Sequence, residues 1–232
     1  MHALTVTGVG RARNHTRTTA MPDKADILLT LGEPADQRDW PDYPATYGLG
    51  ADDIPRLIEI LRDESLHNAD DDSTEVWAPL HAWRALGQLG AVEAIKPLIG
   101  LFEILSDDDW ALSEVDRVFA MIGPAAIEPL ATYLGDPHQD DDARLMAVDA
   151  LAKIAMAHPE QRERVLAAYC DYMENPSEEA AMLNGILMGR LIDLHAVELI
   201  NDIRRLFGMG IVDDFVAGDL EEVETELGLR ES

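Results

Sequence analysis

The chain repeats itself, and the repeat constrains its fold more than any other feature. The stretch from Gln88 to Phe102 returns at Asp193 to Phe207 at a constant offset of 105 residues. Leu89 matches Leu194, Ala91 matches Ala196, Glu93 matches Glu198, Ile95 matches Ile200 and Phe102 matches Phe207. Three units of 35 residues give that offset. Gly123 through Leu130 is an intermediate copy, 33 residues after Gly90, and Gly50 through Ile58 is an earlier one. Each copy reads as a helix A, a turn at glycine or its equivalent, and a helix B. In helix B the apolar Ile95, Leu98, Ile99 and Phe102 fall at helical spacing. Pro55, Pro97 and Pro129 sit early in that helix, where a missing N–H costs least. One helix pair cannot bury both of its faces, whereas stacked pairs can. The period therefore predicts an all-α chain, a solenoid of about five layers. Gly218 to Gly228, with Leu220, Val223 and Leu227 on one face and acids elsewhere, reads as a C-terminal capping helix.

Composition agrees. Aromatics are only 6% of the chain, and Leu, Ala and Ile carry most of the apolar content, which suits helices. The formal charge of −27, from 45 acids against 18 bases, repels phosphate backbones and anionic membrane surfaces. It argues against direct nucleic-acid binding and against a membrane partner. Lysine occurs only at Lys24, Lys96 and Lys153, a bias of the kind seen in salt-adapted proteins. Cys170 is alone, so no intrachain disulfide can form. No apolar run approaches a membrane span and no secretory core is present, so a cytoplasmic location is expected.

Residues 1–22 contain no acid and carry Arg11, Arg13 and Arg17. They read as a disordered tail, with Met21 as a second candidate start and an Arg-rich targeting segment as the alternative. The repeat domain then covers residues 23–232. Within it, residues 24–31 suit a short helix ending at Gly32. Trp40-Pro41-Asp42-Tyr43-Pro44 reads as an ordered loop whose two prolines exclude regular helix, with Trp40 and Tyr43 capping the first core.

Arg144, Ala147 and Ala150-Leu151 resemble the PBS-lyase HEAT-like repeat, whose helix A often reads Arg, two residues, Ala, two residues, Ala-Leu. Ala82 through Gly87 is a partial copy, with Pro79 where the Arg would stand. The segments Trp40 to Tyr43, Trp77 to Arg84 and Val212 to Leu229 look like a group of prokaryotic HEAT-repeat proteins, over about Met21 to the end. The resemblance implies an α-solenoid but no particular role, because such scaffolds serve many. Deoxyhypusine hydroxylase, a di-iron enzyme on the same kind of repeat, needs paired His-Glu motifs. Here the seven histidines are followed by Ala, Thr, Asn, Ala, Gln, Pro and Ala, which argues against that activity. Phycobilin lyases share the repeat, which leaves a lyase-type or chromophore-handling role as an alternative.

Acidic runs recur at Asp70-Asp71-Asp72, Asp107-Asp108-Asp109, Asp140-Asp141-Asp142 and Glu178-Glu179, each in the loop before a helix A. They are expected to cap helix N-termini, and they could also form a ridge for a basic partner or for divalent cations. None has an EF-hand spacing or its glycine. On helix A, Leu80, Trp83, Leu86 and Leu89 form the core stripe, while Trp77, His81, Arg84 and Gln88 lie on a different face. Trp77 and Trp110 each precede a repeat glycine by 13 residues, and Arg84 and Arg117 each precede it by six. Two layers thus offer a Trp and an Arg at equivalent positions, the residue types most enriched at binding hot spots. The bland alternative packs the tryptophans between layers and pairs the arginines with acids. Neither a nucleophile elbow, a phosphate loop nor a metal-ligating Cys or His pair is found, and no cofactor or metal is expected. The expected function is a non-catalytic protein-binding scaffold, with a protein partner that offers a basic segment. Trp77, His81, Arg84, Trp110 and Arg117 are the candidate contacts. An acidic nucleic-acid mimic is a further alternative.

Overall fold

The computed structural model describes residues 23–35, 38–70 and 72–231. The tail expected over 1–22 lies outside them. Among the described residues every regular element is helical, with fourteen α-helices joined by 3-10 turns.

The chain enters through a 3-10 helix, Lys24–Thr30, which buries Ala25 and Leu28 and is started by the Asp23 carboxylate, an acceptor for the Ala25 N–H. After Gly32 the chain leads through a buried Trp40 into α1 (Tyr43–Tyr47). Helix thus begins inside the stretch expected to be loop. Pro44 falls in the first turn, which needs no N–H partner, and Asp42 caps it. α2 (Ile54–Leu61) and α3 (Glu64–His67) follow.

Four long helices come next, α4 (Ala78–Gln88), α7 (Asp109–Ile122), α9 (Asp141–Ala157) and α11 (Ala181–Asp193). Each is followed by a sharp turn, a 3-10 turn, and a return helix. The returns are α5 (Ile95–Ile99), continued by α6 (Phe102–Leu105), then α8 (Ile127–Gly135), α10 (Arg162–Glu174) and α12 (Ile200–Met209). α4, α7, α9 and α11 touch in that order and form one row. α2, which also follows a 3-10 turn, α5, α8, α10 and α12 form a second row beside it, with α2 packed on α4 as α8 is on α9. α13 (Asp214–Ala217) and α14 (Leu220–Glu226) close the end against α11. α14 buries Val223 and Leu227 and keeps Glu221, Glu222 and Glu226 in solvent, as its sequence requires.

Helices of the first row meet neighbours on opposite sides, so they are apolar nearly all round. α4 is buried without a break from Ala78 to Gly87, and α9 presents Ala143, Ala147, Ala150 and Leu151 to its surroundings. Neighbouring helices also satisfy one another's open carbonyls. Arg144 donates through Nε and Nη2 to Leu134 O at the end of α8, at 2.9 and 2.7 Å. His158 sits 2.9 Å from Ala120 O near the end of α7, Arg162 donates to Leu194 O, and Arg205 donates to Met173 O. The arginines among these donors answer both the unpaired carbonyls and the dipole of the helix C-termini.

The turn after helix A takes the same form at both ends of the 105-residue offset. Ala91 N–H bonds Leu86 O at 3.0 Å and Gly90 N–H bonds Gly87 O at 2.9 Å. Ala196 N–H bonds Leu191 O at 2.9 Å and His195 N–H bonds Ile192 O at 2.8 Å. Both are Schellman caps, which need a left-handed residue. Gly90 has φ +61°, and His195, the residue that replaces glycine in the later copy, has φ +48°. The His195 side chain is exposed, so the strain meets no offsetting packing. His195→Gly is expected to raise unfolding stability by about 0.5–1 kcal/mol, as relief of left-handed strain is partly offset by glycine's chain entropy. Urea denaturation of the two proteins measures it, and an unchanged or lower midpoint would refute the strain.

Candidate functional site

One stripe appears twice, one layer apart. Trp77, His81 and Arg84 precede Trp110, Glu114 and Arg117 by 33 residues each. The structure brings all six together and buries three of them, His81, Arg84 and Glu114. Arg84 and Glu114 are both wholly buried and form a two-pronged pair, Nη2 to Oε1 and Nε to Oε2, the latter at 2.8 Å. Trp83 Nε1 donates to the same carboxylate at 3.0 Å. The Arg84 guanidinium lies 5.0 Å from the centre of the Trp40 ring and 5.7 Å from that of Trp110. Arg117 stacks on Trp40 at 4.1 Å and donates to Arg38 O at 2.9 Å.

His81 is buried between two parts of the entering segment. Its Nε2 lies 2.8 Å from Gly32 O, which can only accept, so the proton sits on Nε2. Nδ1 then accepts from the Tyr43 hydroxyl at 2.6 Å. Gln88 completes the seam, accepting from Tyr43 N–H at 2.8 Å and donating to Pro41 O at 2.9 Å. Burial, with the nearby Arg84 charge, holds the His81 pKa below its ordinary value against the pull of the Gly32 carbonyl. Burial also pushes the Tyr43 pKa up.

This corrects the expectation that His81 and Arg84 belong to a partner surface. α4 does present a second polar stripe, but the chain's own entering segment, through Gly32, Trp40, Pro41 and Tyr43, lies across it. Arg117 is half-buried under the same cover. What reaches solvent is the other end of the stripe. Trp77 and Trp110 are half-buried, meet edge to face with centroids 5.6 Å apart, and line a cleft of about 340 Å³ with Val76, Leu80, Leu105 and Asp108.

That cleft opens at the acidic edge. Asp108 caps α7 by accepting from Ala111 N–H at 2.8 Å, and Asp140 caps α9 by accepting from Asp142 N–H at 2.9 Å. Asp107, Asp109 and Asp142 beside them are exposed, as are Glu178 and Glu179. In the Asp107-Asp108-Asp109 and Asp140-Asp141-Asp142 runs one residue therefore satisfies the helix while neighbours present charge outward. The helical elements after the other two acidic runs are preceded by Thr74 and Ala180 with no side-chain cap, contrary to the capping expected there. Among the described residues no three His, Cys, Asp or Glu side chains gather as metal ligands.

The same residues fall within a recognised sequence pattern. The chain belongs to the family described as Protein of unknown function (DUF1186), matched over residues 50–232. The match takes in both tryptophans of the cleft and the Arg84–Glu114 pair, and it begins after the segment that covers them. No curated protein and no solved structure matches the chain. No single described helix is long and apolar enough to cross a membrane. α7 and α8 pass such a test only as a pair bent by 108°.

Glu114 escaped the sequence reading although its signal was present. It stands at the His81 position of the next layer, on the same stripe as Trp110 and Arg117. An acid there, one turn from each of two bulky partners, marks a buried counter-ion.

Two outcomes follow. Glu114→Ala should cost about 3–5 kcal/mol by stranding a buried guanidinium. The double change Arg84→Met with Glu114→Leu should recover most of it, short by the orphaned Trp83 N–H at about 1–3 kcal/mol. Equal denaturation midpoints for single and double variants would contradict this. The second concerns acid. Unfolded histidine takes a proton near pH 6.5 while folded His81 resists it, so between those pKa values the unfolded chain binds more protons and stability falls as pH falls. From pH 7.5 to 5.5 the native protein should lose more stability than His81→Gln does. A parallel decline in both would clear His81 of the effect.

Proposed function

We propose that the two rows of helices form a HEAT-like α-solenoid, and that the protein is a cytoplasmic scaffold, not an enzyme, that binds a basic segment of a protein partner. The observation that carries this reading is the cleft between Trp77 and Trp110 at the acidic edge of the first row. Aromatic faces attract Lys and Arg side chains, most strongly where water is excluded. A T-shaped tryptophan pair offers rigid contact area at little entropic cost. Exposed acids in the adjoining loops raise the encounter rate of a basic chain and turn nucleic acid away. The solenoid reading draws on the chain-order contacts of both rows and on the matching turns after α4 and α11. In such a stack each layer adds a similar edge, so a partner segment can run across several layers.

The test is a titration with a synthetic peptide that alternates Lys or Arg with apolar residues, followed by tryptophan fluorescence. Binding should weaken as salt rises. Trp77→Leu should lower affinity by about tenfold or more, the hot-spot scale. Asp107→Asn with Asp109→Asn leaves the Asp108 cap in place and should mainly flatten the salt dependence. Equal affinity for a peptide with Glu in place of Lys and Arg would overturn the reading.

A further inference from the structure

We propose a second binding site, separate from the tryptophan cleft, for an amphipathic organic anion: a single carboxylate carried on a short apolar body. The observation is where the unpaired cations lie. The described residues include fifteen lysines and arginines. Thirteen of them, through ion pairs, hydrogen bonds or ring stacking, have a partner within the chain. The two that remain are Arg62 and Lys96, and both line one cleft of about 600 Å³. In a chain with 45 acids, two cations in one cleft that form no ion pair are against the trend.

Their placement is built by the fold. Arg62 is the C-cap of α2 and Lys96 lies in the first turn of α5, so they come from successive layers and meet only because those layers stack. Both are exposed and able to turn into the cleft. Gly100 lies between α5 and α6 and lines the cleft. A side-chain carbon built there would meet only the backbone oxygens of Lys96 and Pro97, at 3.4 and 3.6 Å, so the cleft owes part of its room to the missing side chain. Leu101 and Ile104 supply apolar wall, and Ile104 is 56% exposed, a large apolar side chain left facing solvent.

These features select the ligand. The protein's net charge of −27 sets up a field that opposes any anion, so a bare ion gains little from two solvated cations. An anion that also covers Ile104 adds apolar burial, which the field does not oppose. Glu64 on the same rim disfavours a second negative charge, which points to a singly charged group.

The site adjoins the tryptophan cleft, since His67 lines both, but it uses neither tryptophan and stands or falls separately. The probes are octanoate, its neutral counterpart octanol, and inorganic phosphate, each titrated into the full chain and followed by calorimetry and by methyl resonances of Ile104. Octanoate should bind saturably at one site and shift Ile104. Arg62→Gln with Lys96→Gln alters only exposed side chains and should weaken octanoate by about tenfold or more, as expected for lost charge-assisted hydrogen bonds. Gly100→Leu fills the cleft and should abolish the Ile104 shift while the Arg62 and Lys96 charges remain. Octanol binding as well as octanoate, phosphate binding as well as octanoate, or unchanged octanoate affinity in the double variant would each overturn the proposal.

Discussion

A guanidinium and a carboxylate with no exposed surface have to be matched to each other and to their surroundings, because water is not there to solvate either. Arg84 and Glu114 meet that condition, and much of the first half of the molecule is arranged around it. The pair joins α4 to α7. Trp83 spends its N–H on the same carboxylate, and Trp40 and Trp110 lay ring faces near the guanidinium. Trp40 comes from the entering segment, so the pair also fixes where that segment lies. His81, Tyr43 and Gln88 then hold it with directed hydrogen bonds. A hydrophobic contact in the same place would allow sliding. A bidentate ion pair and a two-sided histidine specify one register between the entering segment and the first two long helices.

Elsewhere the layers are joined by the same chemistry in weaker form. Asp149 meets Arg190 across α9 and α11 at 2.7 Å, and Asp116 meets Lys153 across α7 and α9 at 3.4 Å. Burial raises the Asp149 pKa, and the Arg190 hydrogen bond and charge oppose that shift. Partly exposed pairs of this kind add little energy singly. Their value is positional, as is that of buried Asn184, which accepts from Tyr172 and donates to Ser177 O and Ile211 O, tying two loops to one helix.

Charge is distributed with the same economy. Most cations face inward or sideways to acids and carbonyls, which leaves the surplus acids to dominate the surface. Two of the acidic loops satisfy helix ends with one Asp each, Asp108 and Asp140, and exposed acids stand beside both. Arg62 and Lys96 depart from that pattern together, in one cleft.

The sequence by itself determined the helices and their order. A period near 35 residues with helical spacing inside it, prolines confined to first turns and glycine after helix A are local signals, and the backbone obeys them locally. It also marked Trp77 and Trp110 as equivalent residues, and identified Trp40 and Tyr43 as caps on a core. What it could not decide is which stripe of α4 meets solvent. Periodicity separates the faces of a helix but does not say what covers each one. Two polar-looking faces remain ambiguous until a third element is placed. Only the tertiary structure lays the entering segment over the stripe, because that choice depends on contacts such as Gly32 with His81, 49 residues apart. The same limit hid the Arg62–Lys96 cleft, since neither residue belongs to a motif and their proximity exists only once α2 and α5 are stacked.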